Sequence, residues 1–238
     1  MAIFLSASLL REYVQCNRMV FYRTNRPETA TQSKEMIIGE IVHKAIELYW
    51  NNEVLSQGYV FGRMKEQLPN EPVTYASHCL RNFHSYFQEM LSEYDDIELQ
   101  FKIPYEKGVY IVGKMDRITP VGNVIDWKTD RNPATNISSD IQFILYNWAY
   151  GKLYGRKPAS VYYAALGNGS LVQLNYDKVK EDILVNEIIP LAIRDIKSKN
   201  FTRTGIFRKA CYRCNYANPC LTDIGGKNVV DNRDITDT

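Results

Sequence analysis

The stretch from Ile97 to Lys128 constrains the fold more than any other, because it reads as three successive strands. Ile97 to Pro104, Val109 to Ile118 and Asn123 to Lys128 read as consecutive strands bounded by turn residues. Thr119-Pro-Val-Gly-Asn123 has the residues of a tight reversal, so the last two segments form a hairpin. Asp116 and Asp126 are equidistant from Val121 in that turn, which predicts that they meet across the strands. Asp126 and Lys128 lie two residues apart and project to one face.

Two carboxylates side by side on a largely apolar sheet repel each other. A divalent cation offsets that repulsion directly. Mg²⁺ takes a few carboxylates, keeps several waters and accepts further oxygens from a substrate phosphate. Such an ion polarises a phosphodiester, lowers the pKa of a bound water and stabilises the leaving oxygen. Lys128 would position or activate the attacking water, or stabilise charge in the transition state. The plainer reading makes Asp116 a turn-flanking acid and Asp126–Lys128 a surface ion pair. Ile125 and Trp127 beside the acid, with a second acid at the matching position, bring the two readings level.

Helical patterns surround these strands. The apolar opening, Met1 to Leu10, is read as the start of a buried helix, capped by Ser6 or Ser8 and running to about Phe21-Tyr22. No basic segment precedes it, and Arg11 and Glu12 interrupt it too early for a signal peptide, so a cytoplasmic protein is expected. No apolar run approaches the roughly 18–20 residues of a membrane span. Further helices are expected from Ser33 to Leu55, with Ile37, Ile41, Ala45 and Leu48 on one face, and from Thr74 to Tyr94. Another starts at Ser138 or Ser139 and ends near Tyr154. A strand pair, Val161 to Leu166 and Leu171 to Leu174, turns at Gly167-Asn-Gly169 before a long helix from Asp177 to Lys197. This order makes the fold α/β or α+β, and 238 residues suffice for one sizeable core. A net charge of +2 neither demands nor excludes nucleic acid.

Of five cysteines, Cys79 stands alone in a helical stretch and reads as a small buried side chain. Cys16, Cys211, Cys214 and Cys220 form the informative set. Without a secretory signal a disulfide framework is not expected, and metal binding is the better reading.

Gly113-x-x-Asp116, Val124-Ile-Asp126-Trp-Lys128-Thr129 and Gln142-Phe-Ile-Leu-Tyr146 together resemble the motifs of RecB-like nucleases in the PD-(D/E)XK superfamily. Gly39-Glu-Ile-Val-His43 matches the family's upstream Gly-x-x-x-His element, and Ser6-x-Ser8 with Tyr13-x-x-Cys16-x-Arg18 matches its opening. The resemblance implies a restriction-endonuclease-like α/β core, a mixed central sheet flanked by helices, in one domain over residues 1–225 with a polar tail over 226–238. His43, Asp116, Asp126 and the main-chain carbonyl of Trp127 would ligate Mg²⁺ or Mn²⁺, and Lys128 would be the catalytic lysine. Gln142 and Tyr146, one helical turn apart, would contact substrate or brace Lys128. Read singly, His43, Gln142 and Tyr146 are ordinary helix residues; their shared order makes the match specific. Glu98, on the neighbouring strand, ranks below the other acids. Asp126 stands where the family often has Glu, and Met115-Asp116 replaces the Pro-Asp of the superfamily name.

The spacing Cys211-x2-Cys214-x5-Cys220 with a remote Cys16 is similar to the cluster-binding pattern of CRISPR-associated, Cas-four-type exonucleases and AddB-type nuclease domains. It implies a 4Fe-4S cluster joining the N- and C-terminal segments. Zinc is the alternative, although zinc ribbons usually use two short knuckles and this chain has one. Arg11, Arg18, Arg203, Arg208, Lys209 and Arg213 would line a path for a phosphate backbone or form a solvated basic surface, and Tyr212 and Tyr216 would stack on bases.

The expected function is therefore a metal-dependent DNA nuclease, by family analogy an exonuclease on single-stranded or frayed ends. Its setting would be recombination, repair, viral replication or CRISPR adaptation. No phosphate-binding P-loop is present, so any unwinding would come from a helicase, recombination or adaptation partner. The rivals are a non-catalytic iron–sulfur subunit that grips DNA ends and a structural zinc protein with an accidental acidic hairpin.

Overall fold

A computed structural model describes residues 2–50, 53–131, 140–207 and 209–224. The chain forms two compact units, one of Met1–Ala7 with Ser33–Glu187 and the other of Ser8–Gln32 with Ile188–Thr238.

The first unit is built on a six-stranded mixed sheet. Its strands are β1 (Ile3–Leu5), β2 (Asp96–Glu106), β3 (Val109–Ile118), β4 (Asn123–Lys128), β5 (Ser160–Ala165) and β6 (Ser170–Leu174). Strand β3 is the spine, pairing antiparallel with β2 and β4 and parallel with β1. Beyond β4 the sheet continues through parallel β5 to antiparallel β6. The three strands read from the sequence are present.

The opening is not a helix. Ile3, Phe4 and Leu5 pair in parallel with Val109, Tyr110 and Ile111, and Ile3 N donates to Gly108 O at 2.9 Å. Placed there, Leu5 is fully buried while Phe4 stays exposed, the alternation of a strand rather than the stripe of a helix. Helix α1 (Ala7–Gln15) follows, and Cys16, extended at φ −166°, separates it from α2 (Asn17–Asn25).

Ser33 caps α3 (Lys34–Tyr49), its side chain accepting from Met36 N at 3.3 Å. Helix α4 (Glu53–Gln67) takes residues that the sequence reading divided between a long helix and a connection; residues 51 and 52 lie outside the described chain. Helix α5 (Thr74–Asn82) is shorter than expected, because a π turn at Phe83–Phe87 and a 3-10 turn at Gln88–Met90 replace its last turns. The π turn serves packing: the rings of Phe83 and Phe87 both reach the Trp127 indole, with centroids 5.4 and 5.6 Å away. These helices bury Ile38, Ile41, Val42, Ala45, Ala76 and Leu80 on the sheet face that presents Ile125, Trp127, Ala164 and Leu166. The buried face of α3 is thus turned from the one expected, with Ile38 inside and Ile37 only partly buried.

The other face of the sheet carries α6 (Ile141–Tyr154), whose Phe143 ring packs on Tyr163. Ser138 and Ser139, the expected start of this helix, lie outside the described residues. Asp140 is the cap, accepting from Gln142 N at 2.8 Å. Gly155, at φ +69°, ends the helix in the left-handed region that suits glycine. The expected last helix is α7 (Lys178–Ile183), a π turn at Leu184–Ile188 and α8 (Ile189–Ser198), with Asp177 as its cap.

The second unit is held by polar contacts between its two sequence segments. Tyr13 donates to Asp195 Oδ2 at 2.7 Å, and Asn17 donates to Asn200 O at 3.0 Å. The Tyr22 ring stacks on Tyr216, which precedes α9 (Ala217–Thr222), and the Tyr22 hydroxyl donates to Asp223.

Candidate active site

The acidic hairpin is tight at its turn and open at its far end. Arg117 pairs with Ile125 and Ile118 with Val124, and Gly122 adopts φ +90° in the reversal. Past Arg117 the β3–β4 ladder gives way to a side-chain contact. Asp116 Oδ2 accepts the Trp127 N–H at 2.8 Å, so a carboxylate substitutes for the next main-chain partner. The catalytic candidates gather at this parting of two strands.

His43 comes from α3, its Nδ1 lying 3.4 Å from Asp116 Oδ2. Glu98 comes from β2, where the pairs Ile97–Arg117 and Leu99–Met115 bracket it and set it across from Asp116. Ligand atoms of His43, Glu98 and Asp116 all lie within 4.8 Å of one another. Glu98 holds φ +55°, left-handed backbone that non-glycine residues rarely adopt and that tends to mark functional positions.

Asp126 is fully buried, and each of its oxygens has a different environment. Oδ1 accepts from Gln142 Nε2 at 2.8 Å and from the Tyr146 hydroxyl at 3.1 Å. Oδ2 is paired with Lys128 Nζ at 2.5 Å. Burial pushes this carboxyl up to about 6; Lys128 opposes the shift and the charge of Asp116 adds to it. Tyr146 is held well above the ordinary phenol range by burial, then by the charges of Asp126 and Asp116, so it stays a hydrogen-bond donor. Its hydroxyl also lies 2.7 Å from the Lys114 carbonyl, which ties α6 to β3.

The sequence candidates Asp116, Asp126, Lys128, Gln142, Tyr146 and His43 therefore occupy one neighbourhood, with Trp127 contributing its N–H and burying its indole on the opposite face. The main chain beyond Lys128 is fixed. Leu166 N donates to Lys128 O at 2.7 Å, and the Tyr75 hydroxyl donates to Thr129 O. Gly167 is needed there for space, since a Cβ would fall 2.6 Å from the Tyr75 hydroxyl and 2.8 Å from Arg131 Cα.

In the second unit Cys16, Cys211, Cys214 and Cys220 line one cavity of about 30 Å³. Burial pushes the Cys214 thiol up to about 11, and negative charge on Cys211, Cys16 and Cys220 adds to the rise, so the four sulfurs feel one another. Gly205 makes room for the set, because a Cβ there would meet Cys16 Cβ at 2.8 Å and its Sγ at 3.1 Å. Tyr212 is 80% exposed, whereas Tyr216 is buried against Tyr22 and is not open to bases; that expectation is corrected. Arg208 lies outside the described residues.

A cluster of oxygen and imidazole donors beside a buried acid–lysine pair defines a class, the hydrolases that cleave phosphodiesters with a divalent cation. The chain belongs to the PD-(D/E)XK nuclease superfamily, whose sequence profile matches residues 4–221. Members of that superfamily generally use divalent metal ions. A solved structure of a candidate exonuclease from Eubacterium rectale is similar at 14% identity, with 80% of each chain covered and a TM-score of 0.58. The structure of a protein designated SSO0001 is similar at 16% identity, covering 91% of this chain and 85% of that one, with a TM-score of 0.51. The sequence matches no curated protein. Among the described residues no helix is long and apolar enough to cross a membrane.

Proposed function

We propose that this protein is a deoxyribonuclease that hydrolyses phosphodiesters with Mg²⁺ or Mn²⁺ held by His43, Glu98 and Asp116, with Asp126 and the Trp127 carbonyl completing the site. The observation that carries this reading is the convergence of the first three residues from α3, β2 and β3 within 4.8 Å. The donor set fits such an ion. Glu98 Oε2 and Asp126 Oδ2 are buried carboxylate oxygens that already draw lysine ammoniums against them, an anionic oxygen environment that also suits a divalent cation. When bound, the ion supplies Lewis-acid polarisation of the scissile phosphate.

The chain's own groups do the rest. Gln142 and Tyr146 fix Asp126 Oδ1, which leaves Oδ2 toward Lys128 and the site. Lys128 is the cation available to hold an attacking water or to balance charge as the phosphate becomes pentavalent. Exonuclease action on single-stranded or frayed DNA is the mode we favour, supported by the description of the Eubacterium rectale neighbour. From Ile196 to Thr222 the sequence holds six basic residues and no acid, and Phe207 and Tyr212 there are 91% and 80% exposed, a combination suited to single strands. Recombination, repair, viral replication or CRISPR adaptation would supply such ends.

We further propose that Cys16, Cys211, Cys214 and Cys220 hold a 4Fe-4S cluster that ties the two segments of the second unit. Four cysteines lining one cavity, soft donors once deprotonated, support it.

The test is degradation of end-labelled single-stranded and duplex DNA with Mn²⁺ or Mg²⁺, comparing wild type with Asp126→Ala. Metal-dependent cleavage by the wild type alone is expected, and equal cleavage by both proteins would sink the assignment. Anaerobically purified wild type is expected to be brown and to contain iron, with colour and iron lost in Cys214→Ser. A colourless protein carrying zinc would overturn the cluster.

A further inference from the structure

The Lys114 side chain has no role in the site as described so far, yet its ammonium touches Glu98 Oε2. It lies two residues before Asp116 on β3 and so shares that residue's face. The partners differ in freedom: the Lys114 side chain is 45% exposed, that of Glu98 only 14%. Lys128, the other lysine of the cluster, is already engaged with Asp126 at 2.5 Å. Glu98 therefore has a resident cation of its own, mounted on a long stem with an open route to solvent.

We infer that Lys114 is a displaceable counter-cation. It neutralises Glu98 while the site lacks a metal ion, leaves Glu98 once a divalent cation is bound, and then holds the incoming substrate phosphate. The inference rests on the reading of His43, Glu98 and Asp116 as a metal site. The reason is electrostatic. An ammonium and a divalent ion on the same carboxylate repel each other, and the lysine, half in water, is the group able to move. Once it has turned outward, its charge favours an anion at the mouth of the site. Metal and DNA then bind with positive coupling, each strengthening the other by the same factor.

The experiment is a Mn²⁺ titration by electron paramagnetic resonance without DNA, on wild type, Lys114→Met, Lys114→Arg and Lys102→Met. The last variant removes equal charge from the neighbouring strand β2, four residues from Glu98, and controls for the long-range field. Lys114→Met is expected to bind Mn²⁺ about fivefold or more tightly than wild type, the upper worth of a solvent-exposed ion pair. Lys114→Arg and Lys102→Met are expected to stay near the wild-type value. With Mn²⁺ saturating, Lys114→Met is expected to show a raised KM for DNA and a nearly unchanged kcat. Equal Mn²⁺ affinity in Lys114→Met and wild type, or the same gain in Lys102→Met, would overturn the inference while leaving the metal site standing. A wild type that binds no Mn²⁺ would remove the metal site, and this role of Lys114 with it.

Discussion

Lys128→Met is expected to lower the single-turnover rate of DNA cleavage by about 10² to 10⁴, the usual worth of a positioned acid–base or charge-stabilising group. Mn²⁺ binding is expected to survive in that variant, because Lys128 contributes no ligand and its removal takes away a competing charge 2.5 Å from Asp126. Asp126→Ala, in contrast, is expected to lose rate and metal affinity together. The split between the two variants carries the information. Cleavage rates at saturating Mn²⁺, set beside a direct Mn²⁺ titration, measure it. A loss smaller than tenfold in Lys128→Met would reduce the lysine to a structural partner of Asp126. Methionine keeps most of the apolar stem, so the change tests the charge rather than the packing.

The second expected result runs opposite to ordinary mutational experience: Asp126→Asn should leave the metal-free protein as stable as the wild type or more so. Burial raises the Asp126 carboxyl from 3.8 to about 6. Between those values the native state keeps a proton that the unfolded chain has released. Metal-free stability contributed by this group is therefore full below about pH 4, declines as pH rises through about 6, and stays low above that. A gap of about two units corresponds to at most about 3 kcal/mol, so the expected gain at pH 7 is about 1–3 kcal/mol. Urea denaturation with a chelator present, at about pH 4 and about pH 7, measures it. The wild type should weaken between the two conditions by more than Asp126→Asn does. An equal pH response would show that Asp126 is ionised in the folded protein at no cost. Mn²⁺ should stabilise the wild type more than the asparagine variant, which keeps His43, Glu98 and Asp116 but lacks the charge of the fourth ligand.

The same two acids explain why part of the site was legible in the sequence. Val121 centres a turn without irregularity, so counting outward from it pairs Asp116 with Asp126, and the observed pairs Arg117–Ile125 and Ile118–Val124 follow that count. Equal counting from the Lys107-Gly108 turn sets Leu99 against Asp116. A bulge between Pro104 and Glu106 shifts the register by one residue and substitutes Glu98. A slip of one residue exchanges the two faces of a strand, so Glu98, ranked below the other acids in the sequence, stands level with them in the site. Helix α4 was missed because Gly58 and Gly62 lower the helix propensity of residues 53–67, and its burial depends on α3 and α5. The ends of α5 and α7 were misjudged for a different reason. A π turn keeps a helical apolar pattern while changing the backbone, so periodicity alone passes over Phe83–Phe87 and Leu184–Ile188. Three apolar residues at Ile3–Leu5 carry too little pattern to separate strand from helix, and β3, more than a hundred residues away, decides the matter.

The division of the second unit between Ser8–Gln32 and Ile188–Thr238 sets a timetable for biosynthesis. Cys16 leaves the ribosome early, while Cys211, Cys214 and Cys220 come only after everything through Glu187 has been translated. At about 5–20 residues per second the interval is roughly ten to forty seconds. During it Met19 and Tyr22, destined for burial around the cysteine cavity, are without Tyr216. The nuclease sheet, by then complete through β6, has every residue it needs to fold. Completion of the cysteine set is thereby a late event, and a chain arrested at residue 187 would carry every candidate residue of the active site with none of the second unit's closing segment.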